Sequence, residues 1–329
     1  MLFSNPKIPL PYPMAKITII VPVYNALPWL NACIVSILAQ SERDWLLTLV
    51  DDGSTDGSGA VCDSYAAADA RVEAVHTVNR GQSAARNTGI ERARTELLFF
   101  VDADDCLHPD ALSTLLTMRE QSRADICIGG AIYAKDYRFE ELPYIHYKLY
   151  EPGAVVEQTL YQLDGWHNSP WNILYSRHLF DELRFREGIG YEDLDLFYRL
   201  YLRANKIART EQVTYLYRDN PASYLHTWQP GRQDVLAVTD RIVGFMAEHG
   251  STALLRAARD RQFSAYYNMF ALGILHDDRA LADRCWPVIR AERRAELTNL
   301  RIRRKNRLGA LVALSGRRFT EWIVRRMWQ

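Results

Sequence analysis

The chain has 329 residues, 48% hydrophobic and 24% charged, an ordinary globular composition with ample material for a large core. Forty basic side chains balance forty acidic ones, so no whole-surface field that would collect nucleic acid is expected. Five scattered cysteines without CxxC spacing argue against a disulfide framework and a cysteine zinc site, and suit a reducing, cytosolic compartment.

Residues 1–15 read as an N-terminal extension, Pro-rich and without the apolar run of a signal peptide. From residue 17, ITIIVPV reads as a buried strand, and Pro28 opens a helix through Leu30, Ile34, Ile37 and Leu38. A second strand at 45–50 stops at Asp51-Asp52-Gly53-Ser54, and a helix follows from Ser58 to Ala68. A third strand is expected at 72–77, a helix from Ser83 to Ala93, and a fourth strand at 96–101 that again ends in acids. A helix from Pro109 to Gln121 and a strand at 124–129 continue the alternation. Residues 130–165 read as a loop or short antiparallel insertion. The helix at 191–204 puts Leu194, Phe197, Tyr198 and Tyr201 on one face, and beyond Gln233 the pattern is nearly all helix. No stretch approaches the roughly 20 apolar residues of a membrane span.

Strands alternating with helices predict an α/β fold, with a mostly parallel sheet covered on both faces and a helical C-terminal region. Ligands of such sheets sit beyond the carboxyl ends of the strands. The acids after the second and fourth strands therefore belong to one edge.

Three constellations fall there. Asp102-Ala103-Asp104-Asp105 gathers carboxylates that suit a hard cation, Mg²⁺ or Mn²⁺, or else a solvated turn capping the next helix. Asp51-Asp52-Gly53-Ser54-Thr55-Asp56-Gly57-Ser58 permits tight turns and offers acceptors to a base or ribose. It also reads as an Asx-type turn with Ser58 as N-cap. Asn79 to Gly89 sets arginines and small residues at a helix start, which favours anions, although Ser83 is also an ordinary N-cap.

Pro22-Val23-Tyr24-Asn25, then DDGSTDGS, NRGQSAARNTG and DADD, in this order and spacing, resemble glycosyltransferase family 2 over roughly residues 17–225. The later run Ser169 to Tyr175, Tyr191-Glu192-Asp193 and Tyr215 to Ser223 is similar to the members that build bacterial capsular, exopolysaccharide and lipopolysaccharide chains. The resemblance implies the GT-A fold and inverting transfer of a hexose or N-acetylhexosamine from a UDP-sugar to an oligosaccharide or lipid-linked acceptor. It implies a catalytic domain over 16–228, split into a nucleotide-sugar half (16–110) and an acceptor half (111–228), with a helical region at 229–329. Pro22, Tyr24, Asn25 and Asp52 would lie near base and ribose. Asp51 and Gly53 would support that loop, and Arg86 would frame the pocket. Asp102 and Asp104 match the DxD motif: Asp102 would reach ribose or metal, and Asp104 would bind the Mn²⁺ or Mg²⁺ that bridges the diphosphate. Arg218 and His226 would touch the diphosphate, and His226 also the metal. Many relatives carry lysine where this chain has Ile173.

Inversion by direct displacement needs a neutralised leaving group, a proton acceptor and in-line reactants. The resemblance nominates Asp193 as base with Glu192 as the alternative; both stand in a helix's first turn, where the dipole favours ionised carboxylates. A bare N-terminal charge on that helix is the plainer reading.

From residue 290 to 329, twelve basic side chains face three acidic ones, interleaved with apolar residues including Phe319 and Trp322. This suits either an anionic membrane surface on the inner leaflet or a helix packed on the protein with a basic face. A nucleotidyltransferase and a non-catalytic nucleotide-sugar-binding module are the rival readings. The first would more often carry a Gly-rich basic loop after the first strand, where this chain has Pro22-Val23-Tyr24-Asn25, and the second is disfavoured by the intact DADD and Glu192-Asp193.

Overall fold

The computed structural model describes residues 15–134, 138–142, 144–163, 165–166, 168–218 and 230–327. His226 lies outside them. In chain order the elements are β1 (Ile17–Val23), α1 (Leu27–Leu38), β2 (Trp45–Asp51), α2 (Ser58–Ala68), β3 (Val72–His76), α3 (Gln82–Arg92), β4 (Leu97–Phe100), β5 (Cys106–Leu107), α4 (Ala111–Ser122), β6 (Ile126–Tyr133) and β7 (Lys148–Tyr150). There follow α5 (Pro152–Tyr161), β8 (Ile173–Ser176), α6 (Glu192–Arg203), β9 (Ile207–Tyr217), α7 (Asp234–His249), α8 (Thr252–Leu275), α9 (Arg279–Thr298), α10 (Arg304–Leu314) and α11 (Arg317–Met327).

The chain forms two compact units that interleave in sequence: Met1–Lys148, Pro170–Glu182 and Ala208–Asn220 in one, and Leu149–Ser169, Leu183–Ile207 and Pro221–Gln329 in the other.

The first unit is a mixed sheet in the order β3-β2-β1-β4-β8-β6-β9-β5. β3, β2, β1 and β4 are parallel neighbours, whereas β8 runs antiparallel to β4 and to β6. The apolar runs of β1, β2 and β4 are buried because helices cover them, and Ile19, Leu47 and Phe99 belong to one core with Leu30, Ile34 and Leu112. Gly89 of α3 makes that closeness possible: a β-carbon there would lie 2.4 Å from Cγ2 of Ile20. In register, Val23 faces Asp51 and Asp51 faces His76, so three strands end level and deliver their loops to one edge.

The second unit is helical in its described part. Leu194, Phe197, Tyr198 and Tyr201, the apolar face of α6, are all buried. A cluster absent from the sequence reading pins this helix: Asp195 is 1% exposed and accepts from Arg186 Nε at 3.1 Å and Arg241 Nε at 2.7 Å, with Arg199 nearby at 3.5 Å. The insertion read as irregular contains the helix α5. Five helices, α7 to α11, bear out the expectation beyond Gln233. No helix among the described residues is long and apolar enough to cross a membrane.

Candidate active site

At the parallel edge of the first unit, the three sequence constellations are tied together by specific bonds. Asp52 is 2% exposed, and its carboxylate accepts the backbone N–H of Arg80 (3.0 Å) and Gly81 (2.7 Å) and the Thr77 hydroxyl (3.1 Å). In this structure it binds the DDGS loop to the NRG loop instead of facing open space. Gly53 follows with φ +75°, and a β-carbon would sit 3.0 Å from Asn79 N, so the loops' approach needs glycine there.

Asp51 is equally buried. It accepts from Ser54 N (3.0 Å) and contacts His76 Nδ1 (2.9 Å), while His76 Nε2 reaches Asp63 (2.9 Å). Burial would raise the Asp51 carboxyl, but the hydrogen bonds from Ser54 and His76 hold it below the usual carboxylate range. His76 is raised in turn, first by Asp63 and then by Asp51.

The loop after β1 is strapped to the same segment. Asn25 (φ 47°) donates its N–H to Ser54 Oγ (3.0 Å) and accepts from Thr55 N (2.8 Å), and Ala26 N donates to Ser58 Oγ (3.0 Å). Ser58 is not the N-cap of α2: Gly57 holds that position, and Asp56 Oδ1 accepts Ser58 N (2.9 Å). Ser83 likewise lies inside α3, whose N-cap is Gly81. Pro22 is the next-to-last residue of β1, opposite Val50, and Tyr24 stands 53% exposed beside these straps, a ring open to a planar ligand.

The DADD segment joins next. Arg86 is 2% exposed and donates from Nη2 to Asp102 Oδ1 at 3.0 Å. Ala103 is buried, Asp102 and Asp104 are partly exposed, and Asp105 turns fully inward. Asp105 accepts from the Tyr215 hydroxyl and from Arg218 N, each at 2.8 Å, while Tyr215 oxygen accepts Asp102 N–H at 3.1 Å. Burial, then the charges of Asp102 and Asp104, push the Asp105 carboxyl up to about 8. Tyr215 is stacked on Trp171, centroids 4.6 Å apart, and the Arg218 guanidinium lies 5.2 Å over the Trp29 ring. Ile173 is fully buried in β8, so that position offers nothing to a ligand.

Among the described residues no three His, Cys, Asp or Glu side chains are gathered to hold a metal. Two partly exposed carboxylates still fit Mg²⁺ or Mn²⁺. Such a cation takes one or two protein carboxylates and completes its shell with phosphate oxygens and water. Arg86 engages one oxygen of Asp102 at 3.0 Å.

In the second unit Glu192 and Asp193 open α6 behind Tyr191, which adopts φ 60°. Glu192 is buried, Asp193 is partly exposed, and Leu194 N donates to Asp193 Oδ1 at 2.6 Å.

Sequence reasoning missed His76, Trp29 and Asp195, and gave Tyr215 no role of its own. For His76 the signal was present: it ends β3 level with Asp51. For Tyr215 only the long-range pairing of β9 with β5 reveals the partner.

The family model described as glycosyl transferase family 2 matches residues 18–184. The glycosyltransferase GlyA of Streptococcus pneumoniae is 34% identical over 224 residues, which is 65% of this chain and 32% of GlyA; the chain thus spans about a third of that relative. The glycosyltransferase GlyG of the same organism is 31% identical over 225 residues, 64% of this chain and 73% of GlyG. The crystal structure of S. aureus TarS 1–349 in complex with UDP-GlcNAc superposes with a TM-score of 0.74 at 18% identity, covering 95% of this chain and 91% of that one. At that identity the likeness is one of fold, and it agrees with the expected GT-A architecture.

Proposed function

The chain belongs to glycosyltransferase family 2, and on that footing we propose that it moves a sugar from a nucleotide-sugar donor, with inversion, to a sugar acceptor of a bacterial surface polysaccharide. One observation carries the donor half: Asp52 and Arg86 lock the DDGS, NRG and DADD loops into one edge, with Tyr24 exposed beside it.

In this reading Tyr24 and Asn25 meet the base, Asp51 and Asp52 hold the loop that meets the ribose, and Arg86 and Arg218 face the diphosphate. Asp104, with Asp102, would hold Mn²⁺ or Mg²⁺, which when bound supplies Lewis-acid neutralisation of the leaving diphosphate. His226 stays a proposed donor-site contact and metal ligand from the family resemblance alone. Asp193 takes the proton of the acceptor hydroxyl, and Glu192 is the alternative acceptor. The donor nucleoside is uridine in this reading; TarS was crystallised with UDP-GlcNAc.

The two views of the C-terminal tail combine. Val324 and Thr320 of α11 and Ala310 and Ala313 of α10 are buried, so these helices pack on the protein. Leu311, Phe319, Trp322 and Met327 are 44–65% exposed among arginines. We propose that this face rests on anionic lipid.

The test of the donor site is thermal stabilisation by a panel of nucleotide-sugars with Mn²⁺, read again after chelation. A UDP-sugar is expected to raise the melting temperature of wild type only with the cation, and Asp104→Asn is expected to lose that rise. Equal stabilisation of wild type and Asp104→Asn would remove the cation from this site.

A further inference from the structure

Within the second unit, α8, α10 and α11 enclose a cavity of about 360 Å³, within the range of roughly 300–1,000 Å³ common to small-molecule sites. Its walls are of two kinds. Arg261, Arg303 and Lys305 bring three cations, and among the described lining residues there is no Asp or Glu. The lining also includes apolar side chains of the C-terminal helices, among them Leu308, Val312 and Ile323.

The cations are poorly compensated. Nε of Arg261 and Nε of Arg303 are buried without a hydrogen-bond partner, and Arg303 spends Nη2 on the neutral Ser264 hydroxyl at 2.7 Å. Burial, then the charge of Arg303, lowers Arg261 to about 10, and burial followed by Arg303 and Arg261 lowers Lys305. The acids that face them are Asp193 and Asp260, together with the Tyr191 phenol. Asp260 is already engaged by Asn306 Nδ2 at 3.0 Å and by Glu296.

A cavity lined by both cations and apolar side chains is matched by an anion on a hydrocarbon chain. Three cations match more than one negative charge, which a phosphate monoester or diphosphate carries and a phosphodiester does not. Tyr191, the N-cap of α6, also lines the cavity, and Arg261 feels the charge of Asp193 two residues on.

We propose that this cavity binds the phosphate or diphosphate head of a single-chain amphiphile and so receives the lipid-phosphate end of the acceptor. The acceptor assignment rests on the transferase reading above; the binding itself does not.

The experiment is calorimetric titration of the full chain with octyl phosphate, inorganic phosphate, octyl glucoside and dioctanoyl phosphatidylglycerol. Octyl phosphate is expected to bind at least about tenfold more tightly than each of the other three. Arg261→Gln and the exposed Lys305→Gln are each expected to weaken it about fivefold or more, with stabilisation by UDP unchanged. Should Arg261→Gln fail to fold, Lys305→Gln still decides. Equal binding of inorganic phosphate or octyl glucoside, equal or tighter binding of the diester, or wild-type affinity in the variants would overturn the proposal. Failure of UDP to stabilise wild type would instead count against the donor-site reading and leave the cavity result standing.

Discussion

The hydroxyl of Tyr215 donates to Oδ2 of Asp105 at 2.8 Å, across 110 residues of chain, and both groups are fully buried. The same oxygen receives Asp102 N–H, so one phenol fixes the backbone and the inward acid of the DADD turn. That leaves Asp102 and Asp104 as its partly exposed carboxylates.

Tyr215→Phe keeps the ring stacked on Trp171 but strips the buried Asp105 carboxyl and the part-buried Asp102 N–H of a partner. The expected cost is about 1–3 kcal/mol, read from the midpoint of urea unfolding. A change below about 0.5 kcal/mol would show that the bond does not hold the turn.

Glu296, 2% exposed and hydrogen-bonded to Asp260, supplies a pH dependence. Burial, then Asp260, raises its carboxyl from 4.5 to about 9. Between those values the native state keeps a proton that the unfolded chain has released, so stability is full below the lower value and falls as pH rises through the window. Glu296→Gln retains an N–H donor toward Asp260 and cannot ionise. Its melting temperature is expected to fall less than that of wild type from pH 6 to pH 9. Parallel curves would show that Glu296 does not carry the effect.

Phe319 and Trp322 are 44% and 52% exposed, so replacing both with serine is expected to change stability by only about 0.5 kcal/mol. Sedimentation with phosphatidylglycerol vesicles is expected to drop about fivefold or more, and to drop for wild type in high salt. Undiminished sedimentation of the double variant would refute the lipid contact.

Much of the first unit was legible because its signals are local. ITIIVPV, WLLTLV and ELLFFV are apolar runs bounded by turn residues, and each became a strand within one residue of its expected ends. Placing both acidic loops on one edge needed only the parallel alternation. What stayed hidden depends on pairing across long separations. β8 and β9 are short or mixed in pattern and become strands through their neighbours, so the antiparallel half of the sheet and the role of Tyr215 could not be read. Asp195 looks like one more acid in a polar first turn until Arg186 and Arg241 close on it. The interleaving of the two units, in which α5 and α6 group with the C-terminal helices, has no local signature at all.

Proton removal from the acceptor hydroxyl is assigned to Asp193, and Asp193→Asn probes that step alone. The substitution keeps size and an acceptor for Leu194 N–H while removing the base. Sugar transfer and UDP-dependent thermal stabilisation should be measured on the same preparation. Transfer is expected to fall by about 10²–10⁴-fold while stabilisation by UDP and Mn²⁺ matches wild type. Transfer at the wild-type rate, or equal loss of transfer and nucleotide binding, would contradict it.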